Sequence, residues 1–346
     1  MIFSKQIRTQ LVASRIAWMY LRTISWVRII NIVQLQLSYV YSALLKRACI
    51  WGRPWAVSIE PLNVCNLQCP ECPTGLRTLS RHKGMVDVKR YQTMLHHIGK
   101  TVWHVNLYFQ GEPFMHPDFF ALVKEAKKAR LVVETSTNAQ FLSYQQAIKT
   151  VKSGLDILVV SLDGMTQPVY EEYRVGGQLS KVLDGILNLV KAKRELGLNK
   201  PIIRAQFIAF HHNQHQIGEF KKTVWAMGVD MVEVKKAQIY GVENKVHMLP
   251  TDARLSRYKV NHDGSVGLGD QYKNKCWKHW SSAVLTWEGD LLPCCFDKDA
   301  KYIMGNIYEQ SMVEVWSTPA YLSFRRNILL HQNEIDICNN CPLSRK

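Results

Sequence analysis

Between residues 55 and 240, short apolar runs alternate with longer helical patterns, and this alternation restricts the fold more than any other feature of the 346-residue chain. The apolar, β-branched runs cover 56–59, 105–109, 131–135, 157–161, 202–210 and 231–234. They read as buried parallel strands, because a strand covered on both faces is apolar along most of its length. Helical patterns over 88–98, 119–129, 143–151, 181–196 and 216–227 fill the intervals. Strand and helix in strict succession make a parallel α/β sheet with right-handed crossovers. Sheets of that kind meet their ligands at the carboxyl ends of the strands. Here each strand run leads into a polar cluster.

The first strand leads into Glu60-Pro-Leu-Asn-Val-Cys-Asn-Leu-Gln-Cys-Pro-Glu-Cys-Pro-Thr-Gly75, which offers three thiols, Cys65, Cys69 and Cys72, and then stops. An iron–sulfur cube normally takes four cysteines. Three would leave one iron with an open position, where a ligand can be activated. Structural zinc loops instead close four ligands with paired C-x2-C elements. Buried, inert thiols are the remaining alternative, but the flanking Asn66, Gln68, Pro70, Glu71, Pro73 and Gly75 describe a loop rather than a packed element.

This spacing resembles that of the radical S-adenosylmethionine (SAM) enzymes. The resemblance implies a partial (β/α)6 TIM-like barrel over residues 55–240, with a [4Fe–4S] cluster on Cys65, Cys69 and Cys72 whose fourth iron is chelated by SAM. It also implies reductive cleavage of SAM to a 5′-deoxyadenosyl radical that abstracts a substrate hydrogen. Further strand ends fall in register with the family. Gly111 and Glu112 resemble the element that holds the SAM amino group mainly through backbone carbonyls, with Gln110 in place of the first glycine. Ser136 and Asn138 end the third strand, with Ala139 replacing a glycine. Ser161 and Asp163 match positions that meet the SAM ribose, and Arg174 matches an arginine that meets the carboxylate, a contact suited to a planar guanidinium. Singly, each is an ordinary cap, turn residue or solvated charge; jointly they stand in register with the cysteine loop. Gln206, His211, His212 and His215, and then Lys235, Lys236, Gln238 and Tyr240, read equally as ligand-facing groups or polar surface.

A second cysteine group follows: Cys276, Cys294, Cys295, Cys338 and Cys341. Glu288-Gly289-Asp290 has hairpin character. With Met304-Gly305-Asn306-Ile307 and Val313-Glu314-Val315-Trp316, the group resembles the SPASM/Twitch extension of radical SAM enzymes, which holds auxiliary clusters. A full SPASM domain would bring seven cysteines. The simplest count here is one second [4Fe–4S] cluster on Cys276, Cys294, Cys338 and Cys341, with Cys295 a spare thiol or the substitute for Cys294. A zinc knob on the same four is the structural alternative. Cys49, in an apolar run, reads as a packed side chain.

The chain thus reads as three parts: a basic amphipathic helical extension over 1–54, the radical SAM barrel over 55–240 and a small α+β SPASM/Twitch cluster domain over 241–346. Residues 1–59 hold eight Lys and Arg without one Asp or Glu, inside a formal balance of +16. Arg8, Arg15 and Arg22 recur every seven residues and so share a helix face. With Trp18 and Trp26 nearby, this suits a helix lying on an anionic membrane. An ordinary helix packed on the catalytic domain is the alternative. The uncharged stretch 29–45 is short for a span and carries Asn31, Gln34, Gln36 and Ser38, so an interfacial or docked helix ranks above a transmembrane one. No RNA-binding module accompanies the charge, and no specific nucleic acid is expected. Cysteines grouped in short motifs, without a secretory leader, point to a reducing, cytoplasmic setting, with peripheral attachment to the inner membrane face as the refinement.

A fully ligated auxiliary cluster has no open iron for substrate. The resemblance therefore implies an electron-transfer role beside a dehydrogenation, and an oxidoreductase acting on a sugar-like or lipid-linked small molecule. A peptide- or protein-modifying maturase of the SPASM type is the alternative. Either needs an electron donor such as flavodoxin or ferredoxin.

Overall fold

The computed structural model describes residues 5–261, 263–268 and 271–344. Six strands pair in parallel and in chain order: β1 (Ala56–Ile59), β2 (His104–Asn106), β3 (Val132–Thr137), β4 (Ile157–Ser161), β5 (Ile202–Ala209) and β6 (Met231–Lys236). Helices Val88–Ile98, Phe119–Lys128, Tyr144–Lys152, Leu179–Glu195 and Ile217–Met227 join them. Their starts are written locally: the Asp87 and Ser143 side chains accept from the N–H groups of Arg90 and Gln146, satisfying donors that the helix itself cannot. Each helix turns an apolar face to the sheet, so Tyr91, Leu122, Ile186 and Phe220 share one core with Val57, Val105, Leu158 and Phe207. β2 is shorter than the apolar run at 105–109 because the chain leaves the ladder after Asn106 to build the loop at its carboxyl end.

Two acids, Asp156 fully buried and Asp230 partly so, fix the opposite end. Asp156 accepts from Val133 N–H at 2.9 Å and pairs with Lys127 and Lys200. Asp230 accepts from Ile203 N–H at 2.8 Å and pairs with Lys193 and Arg15. A charge held away from water needs such partners.

The sheet does not end at β1. After the small ribbon of β7 (Lys259–Val260) and β8 (Val266–Gly267), β9 (Ser282–Leu285) lies parallel to β1 along all four of its residues. β10 (Asp290–Leu292) and β11 (Gly305–Asn306) then extend the same sheet antiparallel. The β9–β10 turn needs glycine: Gly289 has φ 93°, and a Cβ there would stand 2.5 Å from the Tyr308 ring. Behind these strands the fully buried Arg325 guanidinium lies over Trp316 and Tyr321, 4.1 and 3.6 Å from the ring centroids. It donates to the carbonyls of His279 and Trp316.

Two long helices precede the barrel, α1 (Lys5–Leu21) and α2 (Trp26–Leu45), with Ser25 capping the second. The side chains of residues 5–9, Arg8 among them, lie outside the described residues. α1 covers the amino ends of the strands, packing Val12 and Met19 with Trp103, Val132, Ile157 and Ile202. The expected basic face of α1 is broken: Arg15 turns inward to Asp230 at 2.6 Å and to the Asn199 carbonyl, while Arg22 lies over Trp18. The partly buried Asp230 at the strand starts draws Arg15 in. α2 packs on the C-terminal region, with Tyr39 against Trp277 and Trp280. Among the described residues no helix is long and apolar enough to cross a membrane.

Besides the bonds of Asn63 to His82 and Gly84, the segment 77–85 is tied to the barrel by a bidentate pair, Arg81 to Glu60 at 2.8 and 2.7 Å, with side chains 5% and 0% exposed. Removing one partner leaves the other charge buried alone, which costs about 3–5 kcal/mol. Glu60→Ala should lower stability by that amount in urea titration. A loss below about 1 kcal/mol would mean that Arg81 reaches water and the pair behaves as a surface bridge.

Candidate active site

The cysteine loop leaves β1 and is tied on four sides. Val64 accepts from Glu112 N–H at 2.9 Å, and Gln68 N–H donates to the Val175 carbonyl at 3.0 Å. Thr74 Oγ1 donates to Gln110 Oε1 at 2.9 Å. Buried Glu71 accepts from Tyr240 N–H at 2.8 Å and Lys245 Nζ at 2.6 Å. Cys72 opens a one-turn helix, Pro73–Leu76, whose Gly75 packs so tightly under the loop that a Cβ would lie 2.6 Å from Cys69 N. The loop conformation therefore comes from the strand ends around it rather than from its own cysteines.

Those strand ends are built mainly by buried carboxylates. Gly111 (φ 78°) presses on the start of the loop, where a Cβ would stand 2.6 Å from the Leu62 carbonyl oxygen. Next to it, Glu112 Oε1 accepts from Phe114 N–H and Thr137 Oγ1, and Oε2 from Asn138 N–H at 2.7 Å. Burial pushes this carboxyl above its ordinary range against the pull of those bonds. Asn138 Nδ2 in turn donates to Asn66 Oδ1 at 2.8 Å and lies 3.8 Å from Cys65 Sγ. On the other side, Arg174 Nε donates to Asp163 Oδ2 at 2.5 Å, and its Nη1 points at Cys69 Sγ, 3.9 Å away.

Cys65, Cys69 and Cys72 line one cavity of about 490 Å³ with Gly111, Glu112, Ser136, Asn138, Ser161 and Arg174. Asp163 does not reach it. It is fully buried behind Arg174, with Oδ1 accepting from Ile208 N–H at 2.6 Å. Each of its oxygens already accepts a hydrogen bond, and Asp163 meets the cavity through Arg174, whose guanidinium it orients. His212 pairs with Glu172 and stacks on Phe210 away from the cavity, whereas Lys235, Lys236 and Gln238 face it.

The donor set fits a metal–sulfur group. Burial pushes the Cys65 thiol up to about 12 and Cys69 upward also. One loop N–H, that of Leu67, nonetheless donates to Cys65 Sγ at 3.4 Å. Such thiols stay protonated when bare and give up the proton to a soft metal ion.

The five C-terminal cysteines are all free thiols, and Cys295 among them lines the cavity. Cys276 precedes helix Lys278–Ser281, Cys294 and Cys295 follow β10, and Cys338 and Cys341 sit on the last short helix and just after it. Burial pushes Cys276 up to about 11 and Cys338 up to about 12. Cys295 is drawn down to about 6 by the hydrogen bond from Cys294, with Lys278 and Lys298 adding to it. Among the described residues no three His, Cys, Asp or Glu side chains are packed tightly enough for a single ion, whereas a cube spreads its thiolates around its own width.

Sequence reasoning missed part of the cavity wall. Cys295, Lys278, Lys298 and Arg257 all line the same cavity as Cys65, Cys69 and Cys72. Only Cys295 had a local signal; the three cations come from segments without a motif, Lys278 and Lys298 flanking the β9–β10 pair that adds to β1, and Arg257 held by the carbonyls of Lys236 and Asn340.

Residues 59–201 match the Radical SAM superfamily, and residues 276–342 match the SPASM iron–sulfur cluster-binding domain. The GTP 3′,8-cyclase of Limosilactobacillus fermentum is 30% identical over 279 residues, 73% of this chain and 82% of that one. The tungsten-containing aldehyde ferredoxin oxidoreductase cofactor-modifying protein of Pyrococcus furiosus is 25% identical, covering 82% and 86%. The SAM-dependent 2-deoxy-scyllo-inosamine dehydrogenase of Niallia circulans is 21% identical, covering 82% and 91%. In fold, Streptococcus suis SuiB bound to its precursor peptide SuiA superposes with a TM-score of 0.61 at 17% identity, over 85% of this chain and 71% of that one. The chain belongs to the radical SAM superfamily and carries a SPASM domain. It is therefore an enzyme that uses SAM, a [4Fe–4S] cluster that binds it and an auxiliary [4Fe–4S] cluster.

If Asp163 acts only through Arg174, its removal and that of Arg174 are not independent losses. Arg174→Ala should weaken SAM binding by about 1.5–3 kcal/mol, the worth of a hydrogen bond to a charged group. Asp163→Asn should weaken it by less, and the double variant should match Arg174→Ala. Additive losses in equilibrium dialysis would place Asp163 on SAM itself.

Proposed function

We propose that the enzyme oxidises a small, anionic, sugar-like or lipid-linked molecule by two electrons, consuming one SAM per turnover. Cys65, Cys69 and Cys72 would hold the SAM-binding cluster, and Cys276, Cys294, Cys338 and Cys341 the auxiliary one, with Cys295 beside it. When bound, the first cluster and SAM supply a hydrogen-abstracting 5′-deoxyadenosyl group, and the second cluster an electron acceptor. The backbone at Gly111 and Glu112 would receive the SAM amine, the Arg174 guanidinium its carboxylate, and Ser136, Asn138 and Ser161 its remaining polar edge.

The observation that carries the substrate class is the charge of the cavity wall. Lys235, Lys236, Arg257, Lys278 and Lys298 face it, and the only acids that line it among the described residues, Glu71 and Glu112, are bound internally. Lys278 stands by the second thiol group, where Cys295 raises its own affinity for a proton. Lys235 pairs with Glu233 at 3.8 Å and Arg257 donates to the carbonyls of Asn340 and Lys236, which leaves Lys236 and Lys298 foremost to meet a negatively charged substrate, such as a phosphate-bearing sugar or lipid headgroup. The named activity of the Niallia circulans relative, a dehydrogenase, supports the oxidative reading. We also propose that the enzyme works at the cytoplasmic face of a membrane, a reading supported by the exposed outer surface of α2.

Anaerobically reconstituted protein should hold about eight irons per chain, two cubes' worth, and form 5′-deoxyadenosine and methionine with SAM and a reductant. Cys65→Ala/Cys69→Ala/Cys72→Ala should lose half the iron and all SAM cleavage. With substrate, the product should be two hydrogens lighter. Cys338→Ala/Cys341→Ala should still cleave SAM yet lose that product. Four irons with stoichiometric zinc would overturn the auxiliary cluster's role, and turnover of a peptide but of no sugar phosphate would move the enzyme to the maturases.

A further inference from the structure

α2 is inside out. Its buried face carries Arg28, Asn31, Leu35, Ser38 and Ser42. Its exposed face carries Trp26, Ile30, Val33, Leu37, Tyr41 and Leu44, with Trp26 and Leu44 78% and 76% exposed. At 3.6 residues per turn these six fall within about 80° of the helix circumference and run its whole length, about 30 Å. A helix serving only the protein's own core shows the reverse arrangement.

Three of the buried polar side chains tie the helix to other segments. Asn31 exchanges two hydrogen bonds of 2.8 Å with the Arg53 backbone. Ser42 does the same with the backbone of Cys49 at 3.0 and 2.9 Å, and Arg28 donates to the carbonyls of Thr23 and Arg130. The helix is therefore fixed in this orientation by specific bonds and cannot roll its apolar face inward without breaking them. An apolar stripe held outward this firmly is a binding surface.

The surroundings say what it binds. Exposed cations stand at both ends of the stripe, Arg22 before it and Lys46 and Arg47 after it, and residues 1–59 contain no acid at all. Trp26 marks one end, and Tyr41 with Trp51, 5.3 Å apart, the other. Amphipathic aromatics and cations around an apolar strip are the pattern of a helix lying at a lipid–water interface. A second copy of the chain fits worse. In a two-fold antiparallel pairing, Lys46 and Arg47 would meet the partner's Arg22 end, like charge on like. Beside the C-terminal end of α2, a cleft of about 580 Å³ is lined by Lys46, Arg47 and Arg326 with Ser323, Leu322 and Leu330, and no carboxylate lines it.

We propose that α2 lies in the surface of an anionic bilayer with the Trp26–Leu44 stripe down, and that the Lys46–Arg47–Arg326 cleft takes the phosphate of a lipid headgroup. The inference rests on the membrane-surface reading of the enzyme and specifies the face and the site. α2 would then seat the Trp277–Trp280 segment next to Cys276 directly above the lipid through Tyr39.

The test is co-sedimentation of the full-length, cluster-loaded protein with phosphatidylcholine vesicles, with and without phosphatidylglycerol. The parent should bind the anionic vesicles at least tenfold better than the neutral ones. Val33→Glu/Leu37→Glu, two exposed sites, should bind at least tenfold less while keeping its iron content and thermal midpoint. Arg47→Glu/Arg326→Glu should lose the preference for anionic lipid, and excess soluble glycerol phosphate should not displace the parent. A parent that ignores vesicles, or that self-associates instead, overturns both the membrane reading and this one. A parent that binds while the Val33→Glu/Leu37→Glu variant binds equally well overturns the α2 geometry alone. Displacement by glycerol phosphate would assign the cleft to a soluble phosphate compound and overturn the lipid headgroup.

Discussion

One carboxylate sets the geometry on which the site depends. Glu112 joins three segments: its N–H reaches Val64 at the start of the cysteine loop, and its side chain gathers Thr137 and Asn138 at the end of β3. Asn138 then holds Asn66 inside the loop. A three-thiol loop has no fourth cysteine to lock it, so its shape has to be imposed from outside. Buried hydrogen bonds to a charged group are short and strong enough to do that, and they are costly to leave half made.

The same device recurs around the cavity. Asp163 sets Arg174, Glu71 anchors the loop to the chain after β6, and Glu60 holds the segment at Arg81. Each acid is satisfied internally, so none contributes free negative charge to the cavity. The lysines and arginines opposite are left to act on what enters. An electropositive wall beside a buried thiol set follows from spending the acids on structure.

Much of this was legible in the sequence. The strand–helix alternation gave the order and type of the barrel elements, because apolar runs bounded by polar clusters have few other solutions. The cysteine spacings marked both thiol groups. Other features were illegible for physical reasons. Asp163 reads as a turn residue with a free carboxylate until the fold brings Arg174 and Ile208 N–H to its two oxygens. Lys278 and Lys298 carry no motif and enter the cavity because β9 adds to the edge of β1, and Arg257, equally without a motif, is set there by the carbonyls of Lys236 and Asn340. The heptad of Arg8, Arg15 and Arg22 suggested a basic face that Asp230 dismantles. The face that is exposed belongs to α2; of the four polar residues that weigh against a span, Asn31 and Ser38 point inward while Gln34 and Gln36 stay exposed.

The central claim is that the three thiols of this loop present a cube with an iron open to SAM. The direct measurement is electron paramagnetic resonance of the dithionite-reduced Cys276→Ala/Cys338→Ala/Cys341→Ala variant, in which only the first cluster remains. Adding SAM should shift the g-values of its signal, and Arg174→Ala in that background should need more SAM for the same shift. A signal that SAM leaves unchanged would contradict the account.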